Sequence, residues 1–218
     1  MKNFGLSDWV VVSPNPQLLE VPGMNRLAVK AGELLETVRR VDTSMCIPLP
    51  LFKDFRYDFS LAGGATMDVG CYAVHALRLL AGEEPEVVSA TAKLQKPHID
   101  RAMSAEMRFP SGASGGIRCS MWSTSLLSLG ATVVGDAGTL KVRNFTMPHL
   151  GGKLTVVTPS GKRSEKGGEG RTYTFQLAAF ADAVLRGGPV LTPPSDSIAN
   201  MEVIDAIYTA AGLPLRGT

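Results

Sequence analysis

Asp68 and Tyr72 stand four residues apart in a 218-residue chain, inside the run Gly63-Gly64-Ala65-Thr66-Met67-Asp68-Val69-Gly70-Cys71-Tyr72-Ala73-Val74-His75. On a helix that spacing puts a carboxylate and a phenol on one face. A phenol can give or take a hydroxyl proton as a general acid–base group, but its unperturbed pKa of about 10 calls for a neighbouring ammonium to lower it. Asp68 falls in the first predicted helical turn, where unpaired backbone N–H groups favour an anion. A plain helix N-terminal acid is an equal reading of that position.

Other residues qualify as binding groups. Arg56 and Tyr57, followed by Asp58, precede the glycine pair. A polyol pocket needs such donors and acceptors around an apolar floor, and a loop salt bridge is the competing reading for them. His149, in Met147-Pro148-His149, either lines a pocket or sits on an exposed loop. His75 lies one helical turn beyond Cys71, but two ligands without an acidic third make a poor metal site, so no metal is expected.

Punctuation and periodicity outline the elements that must position these groups. Residues 38–47 alternate and are closed by Pro48 and Pro50, as a strand would be. Residues 65–81 place Met67, Cys71, Val74, Leu77 and Leu80 at helical spacing, and Gly82 stops them. Strand-length apolar runs follow at 86–94, 103–109, 116–122, 131–134, 139–142 and 154–158, joined by turns too short for crossover helices. A Gly/Lys/Glu-rich loop at 162–170 leads to predicted helices at 173–185 and 196–211. Residues 1–25 read as an irregular arm broken by prolines, and 25–35 as a short helix. The order predicts an α+β fold, an open, mainly antiparallel mixed sheet with helices packed on one face.

Composition narrows the function classes. The net charge of +2, with acids and bases interspersed, offers no basic face for nucleic acid. Cys46, Cys71 and Cys119 form no C-x-x-C pair and suit buried thiols in a reducing cytosol. Residues 1–13 have one base and no long apolar run, so neither a signal peptide nor a membrane anchor is expected, and the predicted location is cytoplasmic. No G-x-G-x-x-G follows a predicted strand; Gly63-Gly64, Gly115-Gly116 and Gly135-x-x-Gly138 read as turns. A phosphate cradle for a dinucleotide is therefore not expected in these residues.

The Gly63 run, with Arg78 and Gly82-Glu83-Glu84-Pro85 beyond it, resembles the C-terminal domain of the Gfo/Idh/MocA oxidoreductases. The branch it is most similar to contains glucose-fructose oxidoreductase and dimeric dihydrodiol dehydrogenase, with the pattern G-G-G-x-L-x-D-x-G-x-Y, a helix, then G-x-x-P. The likeness extends from about Val38 to the C-terminus and takes in Asp100, Cys119-Ser120 and residues 205–208. It implies NAD or NADP as cofactor, a sugar, polyol or diol as substrate, catalytic roles for Asp68 and Tyr72, and a homodimer formed through the sheet. It also implies an N-terminal Rossmann domain ending in an E-K-P lysine, and no E-K-P precedes Val38. The expectation is thus a substrate and dimerisation domain over residues 26–218. Its nucleotide-binding half would come from a separate chain or from coding sequence not included in these residues, and alone it would be inactive and would not bind the cofactor. A non-catalytic association or sugar-binding module, or a truncated relic of such an enzyme, is the alternative.

Overall fold

The computed structural model describes residues 37–167, 170–188, 190 and 192–217. The expected arm at 1–25 and helix at 25–35 lie outside them. Eight strands form a mixed, mostly antiparallel open sheet in the order β2-β3-β4-β1-β5-β6-β7-β8. The α+β class expected from the sequence is therefore the fold observed.

The chain divides into two compact units. The first spans Val41–Leu129 and Ile198–Thr218. It holds most of β1 (Val38–Cys46), a meander of β2 (Glu86–Lys96), β3 (Ile99–Arg108) and β4 (Ser114–Ser120), and helix α1 (Cys71–Ala81). Along β1 the alternation is direct: Val41, Thr43 and Met45 are buried, and the Thr43 hydroxyl donates to the Ala73 carbonyl of α1 at 2.9 Å. Helix α1 buries Ala73, Val74, Ala76, Leu77 and Leu80, and Met103, Met107, Ile117, Ile204 and Ile207 are buried in the same unit. The motif's tail closes this helix. Gly82 caps it at φ 71°, and the buried Arg78 guanidinium grips both Glu84 carboxylate oxygens at 2.6 and 2.7 Å.

The second unit, from Gly130 to Ser197 with the residues up to Arg40, holds the meander β5 (Ser128–Gly135), β6 (Gly138–Arg143), β7 (Lys153–Thr158) and β8 (Gly161–Lys166), and helix α2 (Thr172–Arg186). Helix α3 (Pro194–Ala210) runs from this unit into the first. Leu140, Leu154, Val133 and Val156 form the unit's buried face. Helix α2 leaves Tyr173, Leu177, Phe180 and Val184, one stripe at helical spacing, exposed.

Two elements differ from their sequence expectation. The predicted helix at 65–81 is divided: a π turn, Thr66–Gly70, precedes α1. Asp100 holds Thr66 at one end of that turn, and Gly70 packs its backbone against the Cys119 thiol at the other, so the wider turn fits between two fixed points. The predicted loop at 162–170 is in part β8, paired with β7 from Thr158↔Gly161 to Lys153↔Lys166. Its sequence GKRSEK is polar on both faces because it is an exposed strand, and its lysines and arginine oppose further pairing.

The three thiols are free; Cys46 and Cys119 are buried and Cys71 is partly covered. Burial pushes the Cys71 pKa up to about 11. A thiol of that pKa is only about 0.1 % thiolate at pH 8. Disulfide-exchange labelling of the native protein at pH 8 is therefore expected to be slow at all three positions and to accelerate about 100-fold in urea. Rapid native labelling of Cys71, located by mass spectrometry, would contradict this packing.

Candidate functional site

A short loop and the π turn meet to form the site. Asp54 caps the 3-10 turn Phe55–Tyr57, accepting from the Arg56 backbone N–H at 3.0 Å and from the Arg56 guanidinium at 3.0 and 3.2 Å. That backbone N–H, and then the guanidinium, hold the Asp54 carboxyl below its ordinary pKa. The Nε of Arg56 donates to Asp68 at 3.1 Å, so one guanidinium bridges two carboxylates while its face lies 4.6 Å from the Phe55 ring centroid.

Glycine is what lets the loop approach the turn. The N–H groups of Gly63 and Gly64 donate to the carbonyls of Asp58 and Arg56 at 2.8 and 2.9 Å. A Cβ on Gly63 would lie 2.6 Å from the carbonyl oxygens of both Arg56 and Asp58. Gly64 has φ +137° and abuts Asp100. Gly63→Ala is accordingly expected to cost about 1–3 kcal/mol, measured by urea unfolding, and to displace the Arg56 turn. A variant as stable as wild type would mean that the loop has room to spare.

Behind the turn is a buried polar cluster. Asp100 is fully buried, and one of its oxygens accepts from the Thr66 N–H and hydroxyl at 2.8 and 2.7 Å. The other accepts from Tyr208 at 3.1 Å and from Arg216 at 3.2 Å. Arg216 also donates to the Gly63 and His98 carbonyls at 2.9 and 2.7 Å, and its guanidinium stacks 4.0 Å above the Tyr208 ring. Burial pushes the Asp100 carboxyl and the Tyr208 hydroxyl up in pKa, and the Thr66 and Arg216 donors oppose this at Asp100. The cluster thus grips both sides of the segment joining Arg56 to Asp68.

The sequence-predicted residues separate on this framework. Arg56 and Asp68 are in direct contact, and Tyr72 follows one turn later on α1, with 38 % of its surface exposed. Tyr57 is completely buried, its hydroxyl donating to the Leu49 carbonyl at 2.7 Å and its ring set edge-on to Phe52. It props the turn from beneath and presents no surface to a ligand. His149 belongs to the second unit, where its Nδ1 is buried without a hydrogen-bond partner among the described residues. Sequence reading did not single out Asp54, Thr66, Tyr208 or Arg216 as site residues. Asp54 did carry a local signal, an Asp two residues before the backbone N–H that it caps.

Burial raises the Asp68 carboxyl pKa above 3.8, against the pull of Arg56. A carboxyl that binds its proton more tightly when folded contributes stability below its unfolded pKa and loses it as the pH rises through the folded value. The melting temperature of Asp68→Asn relative to wild type is therefore expected to rise as the pH climbs above 3.8. A relative fall would make the Arg56 ion pair the dominant influence. Among the described residues no group of three His, Cys, Asp or Glu is placed to hold a metal.

Comparison with known proteins shows the family. Residues 26–141 match the family model described as the GFO/IDH/MocA C-terminal domain. The chain belongs to this family. It is 32% identical over 159 residues to D-xylose 1-dehydrogenase (NADP(+)) 2 of Haloferax volcanii, covering 72% of this chain and 49% of that protein. With the mouse trans-1,2-dihydrobenzene-1,2-diol dehydrogenase the identity is 29% over 109 residues, 50% of this chain and 30% of the relative. The chain thus spans about half or less of the length of these relatives. The aldose-aldose oxidoreductase of Caulobacter crescentus, solved with glycerol, shares the fold at a TM-score of 0.78 and 22% identity, over 96% of this chain and 60% of that one. A 3-ketoreductase from Actinomadura kijaniata, solved with NADP and TDP-benzene, does so at 0.74 and 21%, over 92% and 61%. Among the described residues of this GFO/IDH/MocA domain no helix is long and apolar enough to cross a membrane.

Proposed function

We propose that this GFO/IDH/MocA domain is the substrate-binding and dimerisation part of an NAD(P)-dependent oxidoreductase acting on the CH–OH group of a sugar, polyol or diol. Its nucleotide-binding half comes from outside these 218 residues. The observation that carries the reading is the placement of Asp68 on a π turn, bridged to Arg56 and one turn before the exposed Tyr72. Arg56 and Asp68 provide a fixed donor and acceptor for vicinal hydroxyls, and Tyr72, held as the phenolate by a cation of the nucleotide-binding half, would take the substrate hydroxyl proton. The cofactor supplies the hydride acceptor; the chain's own residues bind, orient and move the proton. The names of the Haloferax and mouse relatives support the substrate class.

Two surfaces support a partner. The α2 stripe of Tyr173, Leu177, Phe180 and Val184 is an apolar patch suited to further polypeptide, and the sheet face turned away from α1 is suited to a second copy of the chain. The reading is tested by titrating the 15N-labelled chain with D-xylose, glycerol and NADP+. The sugar or polyol is expected to shift the amides of residues 55–57 and 66–72, and NADP+ to bind weakly or not at all. Tight NADP+ binding, or sugar shifts confined to other regions, would overturn it.

A further inference from the structure

The π turn that carries Asp68 is capped from a distant part of the chain. Ala65, the residue before the turn, has no side chain able to cap it, and Thr66 instead donates its N–H and its hydroxyl to one oxygen of Asp100 on β3. The other Asp100 oxygen accepts from Tyr208 and Arg216. These donors use up the lone pairs of one carboxylate, so Asp100 has no acceptor left for a ligand and serves as a fixed post. A carboxylate at this end of a helix is further favoured by the unpaired N–H groups there. At the far end of the turn a Cβ on Gly70 would come within 2.9 Å of the Cys119 sulfur, and that thiol lies 3.9 Å from the Thr66 hydroxyl oxygen. Residues of β3 and β4 therefore bound the turn at both ends.

The wider turn sets where Asp68 and Tyr72 stand relative to each other. In a regular α-helix four residues advance about 40° past a full turn. A π turn closes its hydrogen bonds over five residues instead of four and so rotates less at each step. Asp68, Val69 and Gly70 lie in the π turn, and Cys71 and Tyr72 in α1, so the step from Asp68 to Tyr72 comes closer to one whole turn. The phenol is thereby brought into line with the carboxylate while the carboxylate keeps its bond to the Arg56 Nε at 3.1 Å. Relaxation to α geometry would turn Asp68 away from one of these two partners.

We propose that Asp100, acting through the hydroxyl and N–H of Thr66, is a positioning residue for the Asp68–Tyr72 pair: it holds the π turn in the geometry that aims Asp68 at Arg56 and lines it up with Tyr72. Asp100 touches neither substrate nor cofactor in this role, which rests on the reading of Arg56, Asp68 and Tyr72 as the substrate side of the reaction.

Thr66→Val keeps the branched shape and the N–H but loses the hydroxyl, and Thr66→Ser restores it. Two signals are read in the full 15N-labelled chain: hydrogen exchange of the Arg56 Nε–H, which is bonded to Asp68, and D-xylose affinity from the amides of residues 55–57. In Thr66→Val the Nε–H is expected to exchange about tenfold faster and D-xylose to bind about tenfold more weakly, with both returning close to wild type in Thr66→Ser. Val133→Ala, a buried truncation in the other unit, controls for lost stability and is expected to move neither signal. Wild-type exchange and affinity in Thr66→Val, or an equal change in Val133→Ala, would overturn the proposal and leave Asp100 a structural anchor alone. If Thr66→Val does not fold, Thr66→Ala against Thr66→Ser makes the same comparison with smaller side chains. A wild-type chain that binds no D-xylose would strike the functional reading, and the Arg56 Nε–H exchange would still decide whether Asp100 positions Asp68.

Discussion

Arg216→Ala is expected to destabilise the protein by about 3–5 kcal/mol, the usual cost of leaving one member of a buried ion pair alone. The Arg216 and Asp100 side chains are 1% and 0% exposed, so water cannot replace the lost partner. The substitution strips Asp100 of its cation, and it leaves the Gly63, His98 and Pro214 carbonyls each without the donor that Arg216 supplied. At about 2–4 °C per kcal/mol for a chain of this size, the melting temperature should fall by about 10 °C. Asp100→Asn combined with Arg216→Met removes both charges at once and is expected to cost less than the two single changes together. A loss below about 1 kcal/mol in Arg216→Ala would mean that the cluster does not tie the C-terminal segment to the π turn.

Tyr72→Phe is expected to lower kcat about 100-fold or more in the completed enzyme, with little change in KM and none in melting temperature. The phenol oxygen is the only atom removed, and its contribution to the proposed reaction is to carry a proton in the transition state, so the loss belongs in kcat. Tyr72 is 38% exposed, which makes a folding cost small. Measurement calls for the chain joined to a nucleotide-binding half, for which the Haloferax relative is the donor of choice at 32% identity. An unchanged kcat would remove Tyr72 from the chemistry and favour a non-catalytic sugar-binding role for the site.

The local parts of this site were legible in the sequence, and the long-range parts were not. Gly63-Gly64, the helical spacing from Met67 to Leu80 and the stop at Gly82 announce a turn and a helix through short-range sterics alone. The π turn was hidden because its cause lies elsewhere: Asp100 fixes Thr66 from 34 residues away, and Cys119 meets Gly70 from another strand. The pairing of Arg216 with Asp100 spans 116 residues and leaves no periodic trace. Strand β8 was missed because an exposed strand needs no apolar alternation, and Gly161 to Lys166 carries none. Tyr57 looked like a binding residue beside Arg56, yet the turn that points Arg56 toward Asp68 buries Tyr57 completely.

The central claim is that Arg56, Asp68 and Tyr72 form the substrate side of a nicotinamide-dependent reaction that a nucleotide-binding half completes. Its most direct test follows nicotinamide absorbance after the chain is fused behind the nucleotide-binding half of the Haloferax volcanii relative, with D-xylose, other polyols and a cyclic trans-diol supplied in turn. Sugar- or diol-dependent reduction of NADP+ by the fusion, a sharp loss in its Tyr72→Phe form, and no turnover by the unfused chain are expected. A folded, NADP+-binding fusion that turns over none of these substrates, or an unfused chain that reduces the nicotinamide unaided, would contradict it.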